Sequence, residues 1–465
     1  MTMPFPDRGG SAGLRVAHCV GFYFPDGVGG TEVYVHDLAA ALSQYSIDSS
    51  IVAATDRAYE EYEWANTPVF RYPSNWADLR EYSSTSMRTG LSKFQDLIVR
   101  MAPDVFHLHS WTSGAGLRHL SQVAQLGIPC VVTVHVPSAL CMRGTMILNG
   151  EGACDGVIQE RRCTQCWAIS RGLPSPVAFA VSRLPRMAMT GGWVSRFSRR
   201  AGTVLSARSL VYSQAQDLNE MATLCDRIVA PSRWVAAALA ANDIPAEKIV
   251  VSGQAVARSL VDRGSESRKP HDGRELRIGF IGRLEPYKGP HILLEAMAKI
   301  PRDVPIRLVV AGSGTEPPYL RGLEALAKGE NRIDFLGPIT HSQLPEFLQR
   351  IDVLAVPSNY METGPLVVLE AFAFGLPVMG ANLGGIAERI RDDVDGWLLP
   401  FDDSTAWAVA MQEAALHPEQ VARRRAKVHV VRTMTDVASE MGELYRDILA
   451  VRAGQAVKAS PGSLA

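Results

Sequence analysis

Two runs of strand, glycine-bearing turn and helix, parted by a polar stretch, constrain this chain more than any other feature. The first run opens with Leu14-Arg-Val-Ala-His-Cys-Val20, turns through Gly27-Val-Gly-Gly-Thr31 and enters a helical pattern from Glu32 to Gln44. Strand-like segments follow at Asp104 to His109, Cys130 to His135, Asp226 to Ser232 and Lys248 to Ser252. Arg263 to Gly273 has no apolar side chain beyond one proline, and reads as a linker. The second run starts at Leu276 and continues through Ile306 to Gly312, Ile333 to Gly337, Asp352 to Pro357 and Pro377 to Met379. Short apolar strands alternating with helices imply parallel sheets covered on both faces. A chain of 465 residues exceeds one ordinary core. The expectation is an α/β first domain over residues 14–262, a second over 274–432, and a ligand cleft between them. An amphipathic helix within residues 433–452 follows, and the Ala/Gly/Ser-rich tail from Arg452 reads as disordered.

Composition narrows the class. With 47% hydrophobic and 20% charged residues and a net charge of −1, the chain reads as soluble and globular. No global field favours nucleic acid. No apolar run is long enough to span a bilayer, and Met1 to Gly13 lacks the apolar core of a signal peptide. Seven cysteines in so long a chain do not suggest a secreted disulfide framework. The cytoplasm is the expected location.

The chemistry concentrates in Glu362-Thr-Gly-Pro-Leu-Val-Val-Leu-Glu370. A Gly-Pro turn feeding a helix leaves backbone N–H groups free for phosphate, with Gly364, Leu366 and Val367 around it. Eight positions is just over two helical turns, so Glu370 sits deeper on the face that Glu362 opens. Carboxylates repel phosphate and therefore serve neutral hydroxyls, a sugar on one side and a ribose on the other. Alone, this spacing equally fits two solvated glutamates. Its place between a buried strand and a helix is where open α/β sheets bind ligands.

Gly282-Arg-Leu-Glu-Pro-Tyr-Lys-Gly289 follows the first strand of the second half. Arg283 and Lys288, converging on that loop, suit a diphosphate. Gly29 and Gly30 allow backbone to approach a ligand, although neither a dinucleotide fingerprint nor a P-loop is completed. His135 sits at the cleft lip. His107 and His109 share one sheet face and read as core histidines before a metal pair.

Cys141, Cys154, Cys163 and Cys166 form a C-x12-C-x8-C-x2-C array in an insert at about residues 138–170. Four clustered thiols match tetrahedral coordination, zinc before an iron–sulfur cluster, with a thiol redox switch as the remaining option. Between Arg161 and Gln216 stand nine arginines and no acid, interleaved with Trp167, Phe179, Trp193 and Phe197. Such a stretch suits either an anionic membrane surface or a solvated face.

Taken together, the Gly29-Gly30 loop, His135, Arg283 with Lys288, Glu362 with Glu370, the segment Ala371 to Pro377 and Gly384-Gly-Ile-Ala-Glu388 resemble the retaining GT-B glycosyltransferases of family 4. The likeness extends over residues 14 to 450, and the cysteine insert marks only part of that family. It implies two Rossmann-like domains facing a cleft, the second holding the nucleotide sugar, and a last helix returning to the first. It implies that Arg283 and Lys288 hold the diphosphate, Glu370 the ribose and Glu362 the sugar hydroxyls, with His135 facing the transferred sugar. Pro365 stands where the family often has glycine, so the Leu366 and Val367 amides must serve the phosphate. Val251-Ser-Gly-Gln254 replaces a commoner Asn-Gly.

The expected reaction is retaining sugar transfer from a UDP- or GDP-linked donor to a glycan or lipid-linked acceptor. It would proceed without a catalytic metal, since no Asp-x-Asp motif is placed, and on the membrane's inner face if the arginines dock there. Two rivals differ in class. A sugar-nucleotide epimerase or hydrolase on this scaffold would need no acceptor. A non-enzymatic binder gripping nucleic acid or a partner through the cysteine insert would leave the Arg283, Lys288, Glu362 and Glu370 set without a task.

Overall fold

The structure, a computed structural model, describes residues 13–459 apart from 28, 75–85, 113, 187–203, 205 and 267–274. The first domain holds β1 (Leu14–Val20), β2 (Ile47–Thr55), β3 (Glu60–Trp64), β4 (Thr67–Pro73), β5 (Val105–Leu108) and β6 (Cys130–Thr133). A two-stranded ribbon, β7 (Ile147–Leu148) and β8 (Gly152–Ala153), lies in the insert, and β9 (Arg227–Ala230) and β10 (Ile249–Val251) complete the set. The sheet runs β10-β9-β6-β5-β1-β2-β4-β3. Every pair is parallel except β3 on β4. The central strands are buried along most of their length, as continuous apolar runs such as Cys130-Val-Val-Thr133 demand.

The second domain holds β11 (Leu276–Ile281), β12 (Ile306–Ala311), β13 (Ile333–Gly337), β14 (Val353–Val356), β15 (Val378–Ala381) and β16 (Gly396–Leu399). Their order is β13-β12-β11-β14-β15-β16, all parallel. The chain reverses its direction of travel across the sheet between β11 and β14. A crevice opens at such a point, beyond the strands' carboxyl ends. The loops after those two strands carry Arg283, Lys288 and Glu362. Gly289 (φ +71°) joins them: a Cβ there would lie 2.0 Å from the Pro357 carbonyl oxygen, so only glycine permits this approach.

Two boundaries differ from the sequence reading. The crossing to the second domain comes before residue 262, because Val256 and Leu260 are buried in the second core and helix Arg258–Glu266 occupies the start of the expected linker. The rest of that linker lies outside the described residues. The final helix, Met434–Ala459, continues past Val451 instead of giving way to a disordered tail. Arg452 explains the extension: it donates twice to Asp226, both at 2.8 Å, and to the Gly127 carbonyl at 2.9 Å. This helix packs on the first domain, where Val437, Met441, Tyr445 and Ile448 are buried against Val16, Val20 and Tyr34.

Candidate active site

The loop after β14 is tied down on both sides of the cleft. Lys288 Nζ lies 2.9 Å from Glu362 Oε1 and donates to the Tyr360 hydroxyl at 3.1 Å. Ser358 donates to the same carboxylate oxygen at 2.6 Å. Burial alone would raise the Glu362 pKa, but the Lys288 charge and these donors hold it below the ordinary carboxylate range. Lys288 is correspondingly held above the usual lysine range: burial opposes its charge, and Glu362 more than offsets that. The two residues assigned from sequence to separate partners, phosphate and sugar, are therefore each other's partner here.

Further hydrogen bonds position the loop's backbone and Thr363, among them one from the Asn359 amide to the Tyr287 carbonyl at 2.7 Å. The first domain supplies three partners: Thr363 Oγ donates to the His135 carbonyl at 2.6 Å, Trp234 Nε1 to the Glu362 carbonyl at 2.9 Å, and the Met361 amide to the Thr145 carbonyl at 2.9 Å. The Gly385 amide donates to the Glu362 carbonyl at 2.7 Å. Gly364 packs closely on Gln254: a Cβ there would lie 2.6 Å from its side-chain amide, which would have to move. Glu388 caps the first turn of helix Arg233–Ala240, accepting from the Arg233 and Trp234 amides at 2.9 and 2.7 Å.

Helix Leu366–Ala373 starts directly after Pro365, so the Leu366 and Val367 amides stand at its positive end. Gly30 faces it across the cleft, where an added Cβ would meet Leu366 at 3.7 Å, while Gly29 precedes the helix Gly30–Leu42. Deeper in, burial raises the pKa of Glu370 to about 7, and the charge of Asp37 from the first domain adds to the rise. Burial likewise raises Asp37 to about 7. Arg283 is exposed, 5.4 Å above the Tyr287 ring, and its charge acts on Glu32 of the first domain.

His135 ends a row of imidazoles. Its Nε2 lies 3.1 Å from His109 Nδ1, and His109 Nε2 lies 3.0 Å from His18 Nδ1. His107 is paired with the Tyr445 hydroxyl and Thr133, each at 2.7 Å. Among the described residues, His18, His107 and His109 are the group whose ligand atoms lie close enough for a metal. Every nitrogen of those three already has a hydrogen-bond partner, which favours a core cluster over a metal site.

Two models of known families match. Residues 29–253 match the glycosyl transferase 4-like domain, and residues 263–428 match glycosyl transferases group 1; together they span most of the chain. The chain belongs to the GT-B glycosyltransferases. A D-inositol 3-phosphate glycosyltransferase of Corynebacterium urealyticum is 36% identical over 184 residues, 37% of this chain and 43% of that one. This glycosyltransferase spans less than half the length of the curated relatives it matches. Among solved folds, HepE of Anabaena, in complex with UDP and glucose, superposes with a TM-score of 0.58 at 16% identity, covering 95% of this chain and 99% of that one. Sucrose-phosphate synthase of Thermosynechococcus elongatus gives 0.64 at 18%, covering 94% and 100%.

The glycosyltransferase's four insert cysteines are free thiols, and among the described residues they do not close into a metal-ligand group. Cys163 and Cys166 lie on helix Glu160–Ser170, and their sulfurs accept from the Gln159 and Asn149 amides at 3.4 and 3.2 Å. Several arginines of the basic stretch are committed internally. Arg162 is paired with Asp155, and Arg186 and Arg208 with Glu160. Trp193 and Phe197 lie outside the described residues. Sequence reasoning gave no role to Ser358, Tyr360, Trp234, Asp37 or Gln254. Ser358 and Tyr360 follow a strand end, a usable signal; Asp37, inside a helix, offered none.

Proposed function

We propose that this glycosyltransferase moves a sugar, with retention, from a nucleoside-diphosphate sugar to an acceptor hydroxyl in glycan or glycoconjugate synthesis. The observation that carries the reading is the Lys288–Glu362 pair held beside the N-terminus of helix Leu366–Ala373. As the C1–O bond to the diphosphate breaks, charge builds on the leaving oxygens. Lys288, Arg283 and the Leu366 and Val367 amides are suited to stabilise it. The acceptor oxygen bonds to C1 from the same face, and its proton passes to the leaving phosphate oxygen. Glu362, freed from Lys288 as phosphate takes the ammonium, would turn to the sugar hydroxyls, and Glu370 would accept from the ribose. HepE, solved with UDP-glucose, supports a UDP-linked donor. The inositol-phosphate relatives make a cyclitol phosphate one acceptor to assay, beside glycans and lipid-linked sugars. Thermal stabilisation across UDP- and GDP-sugars, then anomeric NMR of the product, is the test. Free sugar or an epimer formed without acceptor would overturn the transfer reading.

The insert thiols form a second part of the proposal, one structural zinc per chain. Support comes from the C-x2-C spacing, and from the pKa of Cys154 and of Cys163. Burial chiefly raises both, and the charges of neighbouring insert thiolates, Cys141 among them, add to it. A cation would relieve that repulsion, so binding would draw the sulfurs together. Elemental analysis of protein purified without chelator should give about one zinc, lost in Cys163→Ser. Four alkylatable thiols with neither zinc nor iron would defeat it.

A further inference from the structure

The imidazole row is more than core packing, because its hydrogen bonds cannot be chosen independently. His18 Nε2 reaches Ser49 Oγ at 3.3 Å, so the row reads Ser49, His18, His109, His135. Three adjacent strands build it: His18 is on β1, His109 just past β5, His135 just past β6. Burial holds all three rings neutral, with His18 and His135 pushed down to about 3 and His109 well below its usual value. A neutral imidazole has one N–H and one lone pair. Each link needs one of each. It follows that all three rings carry hydrogen on Nε2, or all three carry it on Nδ1. Ser49 can close either arrangement, since a hydroxyl donates and accepts. The free end is His135 Nδ1, buried and without a partner among the described residues. An unsatisfied buried nitrogen is costly, which marks it as a place for a ligand group.

We propose that His109 and His18 are positioning residues that tie the tautomer of His135 to their own, and that the row rests with its protons on Nε2, because a partnerless Nδ1 costs less as a lone pair than as an N–H, so that Nδ1 presents a lone pair to a hydroxyl of the bound sugar. The assignment of the sugar to this place rests on the proposed transfer reaction; the coupling of the tautomers does not. Reversing the row takes one proton in at His135 Nδ1 and releases one at Ser49, with no change of net charge. A sugar hydroxyl that donates to Nδ1 therefore locks the row. An ether or deoxy group at that position cannot.

Long-range proton–nitrogen NMR of protein labelled with nitrogen-15 histidine reads each ring's tautomer directly. All three rings should be neutral and Nε2-protonated between pH 6 and 8. His109→Leu should leave His135 a mixture of tautomers and lower kcat on the order of tenfold with little change in donor KM. His109→Gln, whose amide carbonyl can still accept from His135 Nε2, should restore the single tautomer and part of the rate. Ser49→Ala, at the half-buried end of the row, removes only its terminal partner. It should shift all three rings together toward Nδ1, which keeps the test open if His109→Leu fails to fold. Rings of mixed tautomer in the unaltered protein, or a His135 signal indifferent to both changes, would overturn the proposal. If the rings shift together and no donor is turned over, the coupling stands and the transfer reading falls.

Discussion

The two walls of the cleft solve opposite problems. The second domain's wall is ionic: half-buried Lys288 is paired with buried Glu362, with Arg283 on the same loop. On the first domain's side, beside Glu32 and Asp37, stands His135, backed by His109 and His18, and burial keeps all three imidazoles uncharged. An ion pair in a low-dielectric site can exchange a partner for a phosphate at modest cost, because the charge is already desolvated. A neutral imidazole leaves an approaching hydroxyl its proton. Under the proposed reaction, the leaving group's charge would fall to the second domain, while the sugar would be held from both sides, by Glu362 and by His135.

The sharpest way to break this contrast is to remove the cation. Lys288→Ala should lower kcat/KM by several hundredfold in steady-state assays, since it strips a charge from the diphosphate and leaves Glu362 buried alone. Arg283→Ala should cost less, about 10- to 100-fold, because that side chain is exposed. Equal, small losses in both would put the diphosphate elsewhere.

Glu370 sharpens it differently. Its folded pKa is about 7, against an ordinary value near 4.3. Between those values the folded chain holds more protons than the unfolded one, so this group's contribution to stability falls as pH rises from about 4.5 to 7. Ribose hydroxyls bond to the ionised form, so UDP binding should release a proton. Its affinity should then fall up to about tenfold per pH unit below 7. Calorimetry in buffers of different ionisation enthalpy measures both effects. Glu370→Gln should weaken UDP by about tenfold and abolish the pH dependence. A pH-independent affinity in the unaltered protein would remove Glu370 from the ribose.

The smallest effect is expected far from both walls. Arg452→Ala breaks a part-exposed pair with Asp226 and should cost about 1 kcal/mol or less in denaturant melts, with catalysis unchanged.

Sequence patterning carried the architecture well, because period and turn chemistry are local. The strand ends bearing Arg283, Lys288 and Glu362 were visible for that reason. The partnership of Lys288 with Glu362 was not, since it spans 74 positions and depends on two loops meeting at a sheet crevice. The imidazole row was equally hidden: His18 is separated from His109 by 91 positions and looks like any polar residue in a buried strand. The linker was placed late because Leu260, inside a polar segment, is nonetheless core.

The returning helix sets an order on manufacture. Tyr445 and Ile448 fill the first domain's core, yet they are translated after the whole of the second domain. At about 5–20 residues per second, the first sheet waits on the order of ten to forty seconds with part of one face lacking its last helix. During that interval the apolar side chains that the last helix will bury, beside Val16, Val20 and Tyr34, lack that cover, which makes the nascent chain more vulnerable to aggregation than the finished fold.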